Sequence, residues 1–245
     1  MMMILSTSVE RAIMAAAALL TSHVICTLIV MYHDLSGKWK NYALVTEKRT
    51  IGSISDYLHG LKSFMADITV MFIPFMTCCF SYRQTEINTA DDSIAMSLLK
   101  LVCGYYLGKL WATAVHYALH LPSLYRFHKR HHSMTHALVA TKAWEDSWVE
   151  YMVMEIPSFA IAVLLFPTHF QVHLLHFILH GYDGASNHSG FAAPGLLGYL
   201  FDGEYHYYHH RYLTVNYAEV EMIDKLIGSH HTQCEKVVQY VKKAA

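Results

Sequence analysis

One long apolar run constrains the chain before anything else does. Residues 12–32 carry no charged side chain, and only His23 and a few hydroxyls interrupt them. Twenty-one residues of helix are long enough to cross a bilayer core. A cleaved leader has a shorter apolar region behind positive charge, whereas Glu10 and Arg11 precede this one, so it reads as a retained anchor. The totals agree that this is no ordinary soluble domain: 54% of residues are hydrophobic, 15% are charged and the mean hydropathy is +0.24. Residues 68–82 contain Pro74 and are short for a crossing unless extended back to Leu58, which takes in Lys62 and Asp67. Thr89-Ala90-Asp91-Asp92 signals a helix start. Residues 93–121 read as one long helix carrying Lys100 and Lys109 and stopped by Pro122. Residues 149–179, broken by Pro157 and Pro167, suit a bent span or a helical hairpin, and 202–228 read as a further helix. By length this gives an all-α, polytopic membrane protein with about four transmembrane helices.

The histidines supply the chemistry. Of nineteen, fourteen lie between His116 and His210. They form tight groups: His116-x-x-x-His120, His128-x-x-His131-His132 and His206-x-x-His209-His210, with His176 and His180 between. On a helix, residues three and four apart share a face, so each group can turn its rings toward one spot. Imidazole suits zinc, copper, iron and nickel. These ten side chains exceed what one four-coordinate ion uses, and they supply two metals that each keep an open position. The scattered His23, His33, His59, His169, His230 and His231 read as structural, and His136 and His173 as structural or supporting. There is no His-Glu-x-x-His, no Cys-x-x-Cys-His and no Gly-x-Gly-x-x-Gly, so a zinc-protease base, a c-type haem and a nucleotide site all lack their motifs. The net charge of −1 gives no support for a nucleic-acid partner. Two other readings stay open: a membrane haem protein that only transfers electrons, and a zinc-binding membrane protein without oxygenase activity.

At these residues the chain resembles the fatty acid hydroxylase superfamily, also called the sterol desaturase family, whose members are membrane-embedded non-haem di-iron enzymes of lipid metabolism. The resemblance covers residues 98–229 and rests on several motifs in order. His116-x-x-x-His120 with His128-x-x-His131-His132 matches the first boxes, and Glu204-Tyr205-His206-x-x-His209-His210 matches the last. Asn216-Tyr217-Ala218 and Asp224-Lys225-Leu226-Ile227-Gly228 look like the stretch that follows it, and Trp144-Glu145-Asp146 takes the place of an acidic motif. The middle element fits three registers. His176-Phe-Ile-Leu-His180 is similar to the pair of fatty acid 2-hydroxylases, His180-Gly181-Tyr182-Asp183 to a methylsterol oxidase motif, and His188-Ser189-Gly190-Phe191 to that same place shifted.

The resemblance implies a ligand set of His116, His120, His128, His131, His132, His176, His180, His188, His206, His209 and His210. Carboxylates would orient the imidazoles, with Glu145 and Asp183 favoured over Asp146, Asp202 and Glu204. It further implies two iron ions and O2 as co-substrate. The reaction would hydroxylate or desaturate an unactivated C–H bond of a sterol, fatty acyl or sphingoid-type lipid entering from the bilayer. Electrons would come from cytochrome b5 and NADH-cytochrome b5 reductase, which Arg126, Lys129 and Arg130 either face or merely neighbour as a solvated cluster. Tyr205, Tyr207, Tyr208 and Tyr212 are expected at the membrane interface. The ending Lys242-Lys243-Ala244-Ala245 resembles a dilysine retrieval signal, which places the chain in the endoplasmic-reticulum membrane with its C-terminus and a helical, histidine-rich metal-binding cap in the cytosol. The expected division is an anchor region at 1–92, a hydroxylase-like catalytic region at 93–230 and a basic tail at 231–245.

Overall fold

The computed structural model describes residues 2–44, 52–133, 138–201 and 203–234. His136, Asp202 and the Lys242-Lys243 pair lie outside them. The described residues are helical, apart from an isolated bridge between Ala43 and Phe191. α1 (Met2–Leu35) takes in the whole 12–32 run. α2 (Ile54–Asp67) opens on a capping box in which Ser53 and Asp56 exchange hydrogen bonds. It continues through a π-helical turn, Ile68–Phe72, into α3 (Ile73–Tyr82).

The α4 helix (Gln84–Asn88) and α5 (Ile94–Leu119) follow, and then α6 (Tyr125–His128). Ser93 caps α5 by accepting from the Met96 N–H, so the helix starts just after the predicted Thr89–Asp92 signal. The α2–α3 construction recurs at α7 (Trp148–Glu150), whose π turn Tyr151–Glu155 leads into α8 (Ile156–Leu165). Each π turn precedes an Ile-Pro pair, Ile73-Pro74 or Ile156-Pro157. Proline has no N–H and its ring collides with the carbonyl four residues back; a widened turn moves that carbonyl aside, and the helix runs on. Pro74 therefore does not shorten its segment.

Among the described residues three helices are long and apolar enough to cross a membrane: Thr7–Leu35, Ile54–Tyr82 and Trp148–Leu165. That is one fewer than the sequence suggests. Their outer faces carry exposed Ile13, Ile25, Leu28 and Val70. α9 (Phe170–Asn187) follows a short break, and contact between the Phe159 and Phe177 rings makes α8 and α9 the expected hairpin. Leu19, Phe64, Phe72, Phe80, Phe159 and Phe177 are fully buried where α1, α2, α3, α8 and α9 meet.

α5 lies on α8 through Gly104-x-x-x-Gly108. A Cβ on Gly108 would stand 2.5 Å from the Ser158 carbonyl oxygen, and one on Gly104 2.8 Å from Ala162 Cβ. Small residues let two helix backbones approach this closely. The contact fixes the axis of α5 and so the placement of His116 and His120 at its far end. α10 (Leu196–Leu200), α11 (Glu204–Tyr212) and α12 (Glu221–Ile227) complete the described chain. The single helix predicted over 202–228 is thus two, because Leu213 at φ 60° and Asn216 at φ 52° turn the backbone left-handed between them. The first histidine box is not one helix either: α6 ends at His128 and a 3-10 turn, His131–Ser133, carries the rest.

Candidate metal centre

Each His-x-x-His-His box divides its histidines between two nests. His128 and His132 join His116, His120 and His209 in one group; His131 joins His188, His206 and His210 in a second. The first box thus gives two side chains to the five-histidine nest and one to the four-histidine nest, and the second box gives one and two. The boxes do not each converge on one spot, as helical spacing alone would suggest. His131 and His132, adjacent in the chain, face different nests, as do His209 and His210 within the continuous α11, so in both boxes the histidines four apart stay together. The nests are neighbours, with the His132 and His210 rings 4.5 Å apart between centroids.

Hydrogen bonds on the outer nitrogens set five of the nine rings. His116 Nδ1–H donates to the Tyr217 carbonyl and His209 Nδ1–H to the Val215 carbonyl, both at 2.7 Å. His188 Nδ1–H donates to the Gly184 carbonyl at 3.1 Å, His131 Nδ1–H to Asp146 at 3.0 Å, and His128 Nδ1–H to Glu150. In each neutral ring the Nε2 lone pair then points inward. The inward nitrogens crowd together. In the four-histidine nest Nε2 of His188 lies 3.2 Å from that of His131, 3.1 Å from His206 and 3.2 Å from His210. In the five-histidine nest His209 Nε2 is 3.1 Å from His120 and 3.2 Å from His132, which is 2.8 Å from His128. Buried His116 Nε2 has no hydrogen-bond partner among the described residues.

Two lone pairs facing each other at this distance repel, and a shared cation removes the repulsion. Ligand nitrogens about 2.1 Å from one ion stand ~3.0 Å apart at right angles and ~3.4 Å apart in a tetrahedron, which brackets all of these separations but the 2.8 Å between His132 and His128. The residues present therefore fit metal ions. Burial holds His128 and His188 at a pKa of about 3, far below the ordinary imidazole value. Burial and neighbouring imidazoles also keep His131, His206, His209 and His210 well below it. All six are neutral at pH 7, the form that binds metal. Burial, with the nearby Glu150 charge, pushes Asp146 well above the usual carboxylate range. A cation in the nest would offset that charge.

Nine of the eleven sequence-derived ligands come together in this way, and His176 and His180 stand outside both groups. α9 is continuous through residue 187, so these two sit two to three turns before His188, along the hydrophobic hairpin. Their rings pack on Phe177, Tyr105 and Phe159. The carboxylates on the imidazoles are Asp146 and Glu150. Glu145 instead pairs with buried Lys142 at 2.5 Å, and Asp183 with Lys109 at 3.0 Å. Glu150 had a legible signal, since Ser147-Trp148-Val149-Glu150 has capping-box spacing and caps α7. The backbone acceptors Val215 and Tyr217 had none. Their loop is held by buried Asp224, which accepts from the Tyr217 N–H (2.9 Å), the Ala218 N–H (2.8 Å), the Tyr205 hydroxyl (2.6 Å) and the Ser229 hydroxyl. Tyr207 and Tyr208 are buried rather than interfacial, and the Tyr208 hydroxyl donates to Glu204. A cavity of about 50 Å³ touches both nests, at His116, His131, His188 and His206.

Residues 101–229 match the family model described as fatty acid hydroxylase. The fatty acid hydroxylase ahd1 of Mycosarcoma maydis is 28% identical over 156 residues, which are 61% of this chain. The chain spans only 38% of that relative's length. No solved structure matches. The family match covers more than half of the 245 residues and contains every histidine of both nests, so the chain belongs to the fatty acid hydroxylase family.

Proposed function

We propose that this chain is a membrane-bound di-iron oxidoreductase that uses O2 to hydroxylate, or to desaturate, an unactivated C–H bond of a lipid. The observation that carries the reading is the pair of nests, with five and four inward imidazole nitrogens in contact. A bis-imidazole haem takes two nitrogens on opposite faces of a plane, and this crowding leaves no room for the plane between them. The five-histidine nest would hold one iron and the four-histidine nest the other, and bound iron there supplies O2 activation and hydrogen abstraction. In hydroxylation one oxygen atom enters the lipid, and the other leaves as water with two electrons and two protons supplied from outside.

The chain's own residues do the positioning. The Tyr217 and Val215 carbonyls, Asp146 and Glu150 fix ring orientation. Asp146 and Glu150 also bring negative charge beside the cations. Trp144, Met154, Ala112 and Ala143 line the cavity between the nests and limit the water that reaches it. Arg126, Lys129 and Arg130, exposed next to the first box, suit an acidic electron donor such as cytochrome b5 with its reductase. We count α5 as the fourth crossing, because Lys100 is paired with Asp92, and Lys109 with Asp183 and Glu219. In this reading the nests face the cytosol of the endoplasmic reticulum and the lipid enters sideways.

The test is metal content per chain after anaerobic purification from iron-rich medium, with an absorption spectrum. The expected result is about two irons and no Soret band, with O2 consumed once reductant and lipid are added. One haem per chain, or a reduced two-iron protein that consumes no O2 with any lipid, refutes the reading. Zinc taken up during expression does not, since zinc outranks Fe(II) in general affinity.

A further inference from the structure

Resting on that reading, the structure also speaks to which end of the lipid approaches the metals. Lys109, Asn187 and Glu219 line both the cavity that touches the nests and a neighbouring vestibule of about 310 Å³, and so form the neck between the two. At this neck the Lys109 ammonium is bound by Asp183 at 3.0 Å and by Glu219, and the Tyr105 hydroxyl donates to Asp183. Two acidic side chains match the single Lys109 cation, so it has no charge left over for an anion, and Glu221, paired with Lys225 and His230, stands on the vestibule wall. Below the neck, buried His180 lines the inner cavity, and its Nε2 has no partner among the described residues. Beside the vestibule, α12 exposes Met222, Leu226 and Ile227, an apolar row suited to lying on a membrane surface.

We infer that the neck, with His180 beneath it, binds the polar end of the lipid substrate and takes a hydroxyl- or amine-bearing head group in preference to a free carboxylate. A donor head meets the carboxylates of Asp183 and Glu219 and offers a hydrogen bond to His180, whereas a carboxylate finds no charge left over for it, because Lys109 is already matched. The consequence is regiochemical. Lys109 lies two helical turns before His116, roughly 10 Å along α5, so a head held here leaves only carbons within a few bonds of it at the nests. The small inner cavity suits that short reach.

The test uses the full chain, iron-loaded and kept reduced and anaerobic in nanodiscs, with radiolabelled octadecanol, 2-aminooctadecanol and octadecanoate as probes. The expected result is that either alcohol binds at least tenfold more tightly than octadecanoate. Glu219→Gln and His180→Gln should each narrow that gap by threefold or more while metal content stays at the wild-type level. Equal or tighter binding of octadecanoate by the wild-type chain overturns the inference, as does an unchanged preference in both variants. Loss of metal in His180→Gln overturns the role given to His180 and makes it a ligand. Metal content and O2 consumption by the wild-type chain report separately on the oxygenase reading, so the two can fail independently.

Discussion

Asp224→Asn is the most informative single change, because it acts on one nest without touching a ligand. The Asp224 carboxylate accepts from four donors: the Tyr217 and Ala218 N–H groups and the Tyr205 and Ser229 hydroxyls. Each oxygen takes two of them. An asparagine of the same shape replaces one oxygen by an NH2 group, which faces one N–H and one hydroxyl; the hydroxyl can turn to accept, and the N–H is left unpaired. A buried donor left unpaired costs about 1–3 kcal/mol, so the loop between α11 and α12 loses roughly that much of its hold. This loop supplies the Tyr217 and Val215 carbonyls that orient His116 and His209, two of the five histidines of one nest. Losing such orienting bonds typically costs about 10–100-fold in metal affinity. The assay is a chelator titration of iron-loaded protein, following iron retained per chain. One iron should leave at a chelator concentration about 10–100-fold lower than in wild type, ahead of the other. Both irons leaving at the wild-type concentration would refute the claim that the loop acts through the imidazoles.

Four further outcomes follow from the geometry. His188→Ala and His120→Ala, each outside the two His-x-x-His-His boxes and in only one nest, should each lower metal content from two toward one per chain, read by elemental analysis. Glu150→Gln keeps the shape but removes the charge on His128 Nδ1, and iron affinity should fall about 10–100-fold by the same titration. Gly108→Ala drives a methyl group against the Ser158 carbonyl oxygen and should cost about 1–3 kcal/mol, seen as a lower Tm by circular dichroism in detergent. For metal-free protein, His128 and His188 have folded-state pKa values of about 3, below the unfolded imidazole value. Between these limits the unfolded state binds more protons. Their contribution is therefore intact above about pH 6.5 and is lost as the pH falls from there toward 3, by up to about 1.4 kcal/mol per pH unit for each histidine. Denaturant unfolding at pH 7.5 and 5 checks the sign, and equal stability at both would contradict it.

The sequence carried the helical class, the hairpin at Pro167 and nine of the histidines that meet, because apolar length and ligand spacing are local properties. What it could not carry depends on how the backbone turns between ligands. Helical spacing puts the histidines of each box on one face, yet in both boxes the two that stand four apart share a nest and the one between them goes to the other, so the division follows from how the segments pack together and not from local spacing. His188 is the last of three registers in the middle element, and only the uninterrupted run of α9 separates it from His176 and His180. Glu145 stood in the right motif one residue from Asp146, but it follows a 3-10 turn, Ala140–Trp144, that brings it back onto Lys142 and leaves Asp146 to meet the histidine. Pro74 and Pro157 read as breaks because the compensating π turns leave no mark in composition.

The division of each box between the two nests has a consequence for assembly. An ion in the five-histidine nest ties α5 to both boxes at once, through His116, His128 and His209. In doing so it fixes the backbone on either side of His131 and His210 and so prepays the ordering of the other site. In the wild-type chain the second ion should accordingly bind more readily once the first is in place. A one-residue insertion inside either box would exchange ligands between the ions rather than remove one. Neither site can drift in sequence without the other, because the two ions staple the same pair of segments.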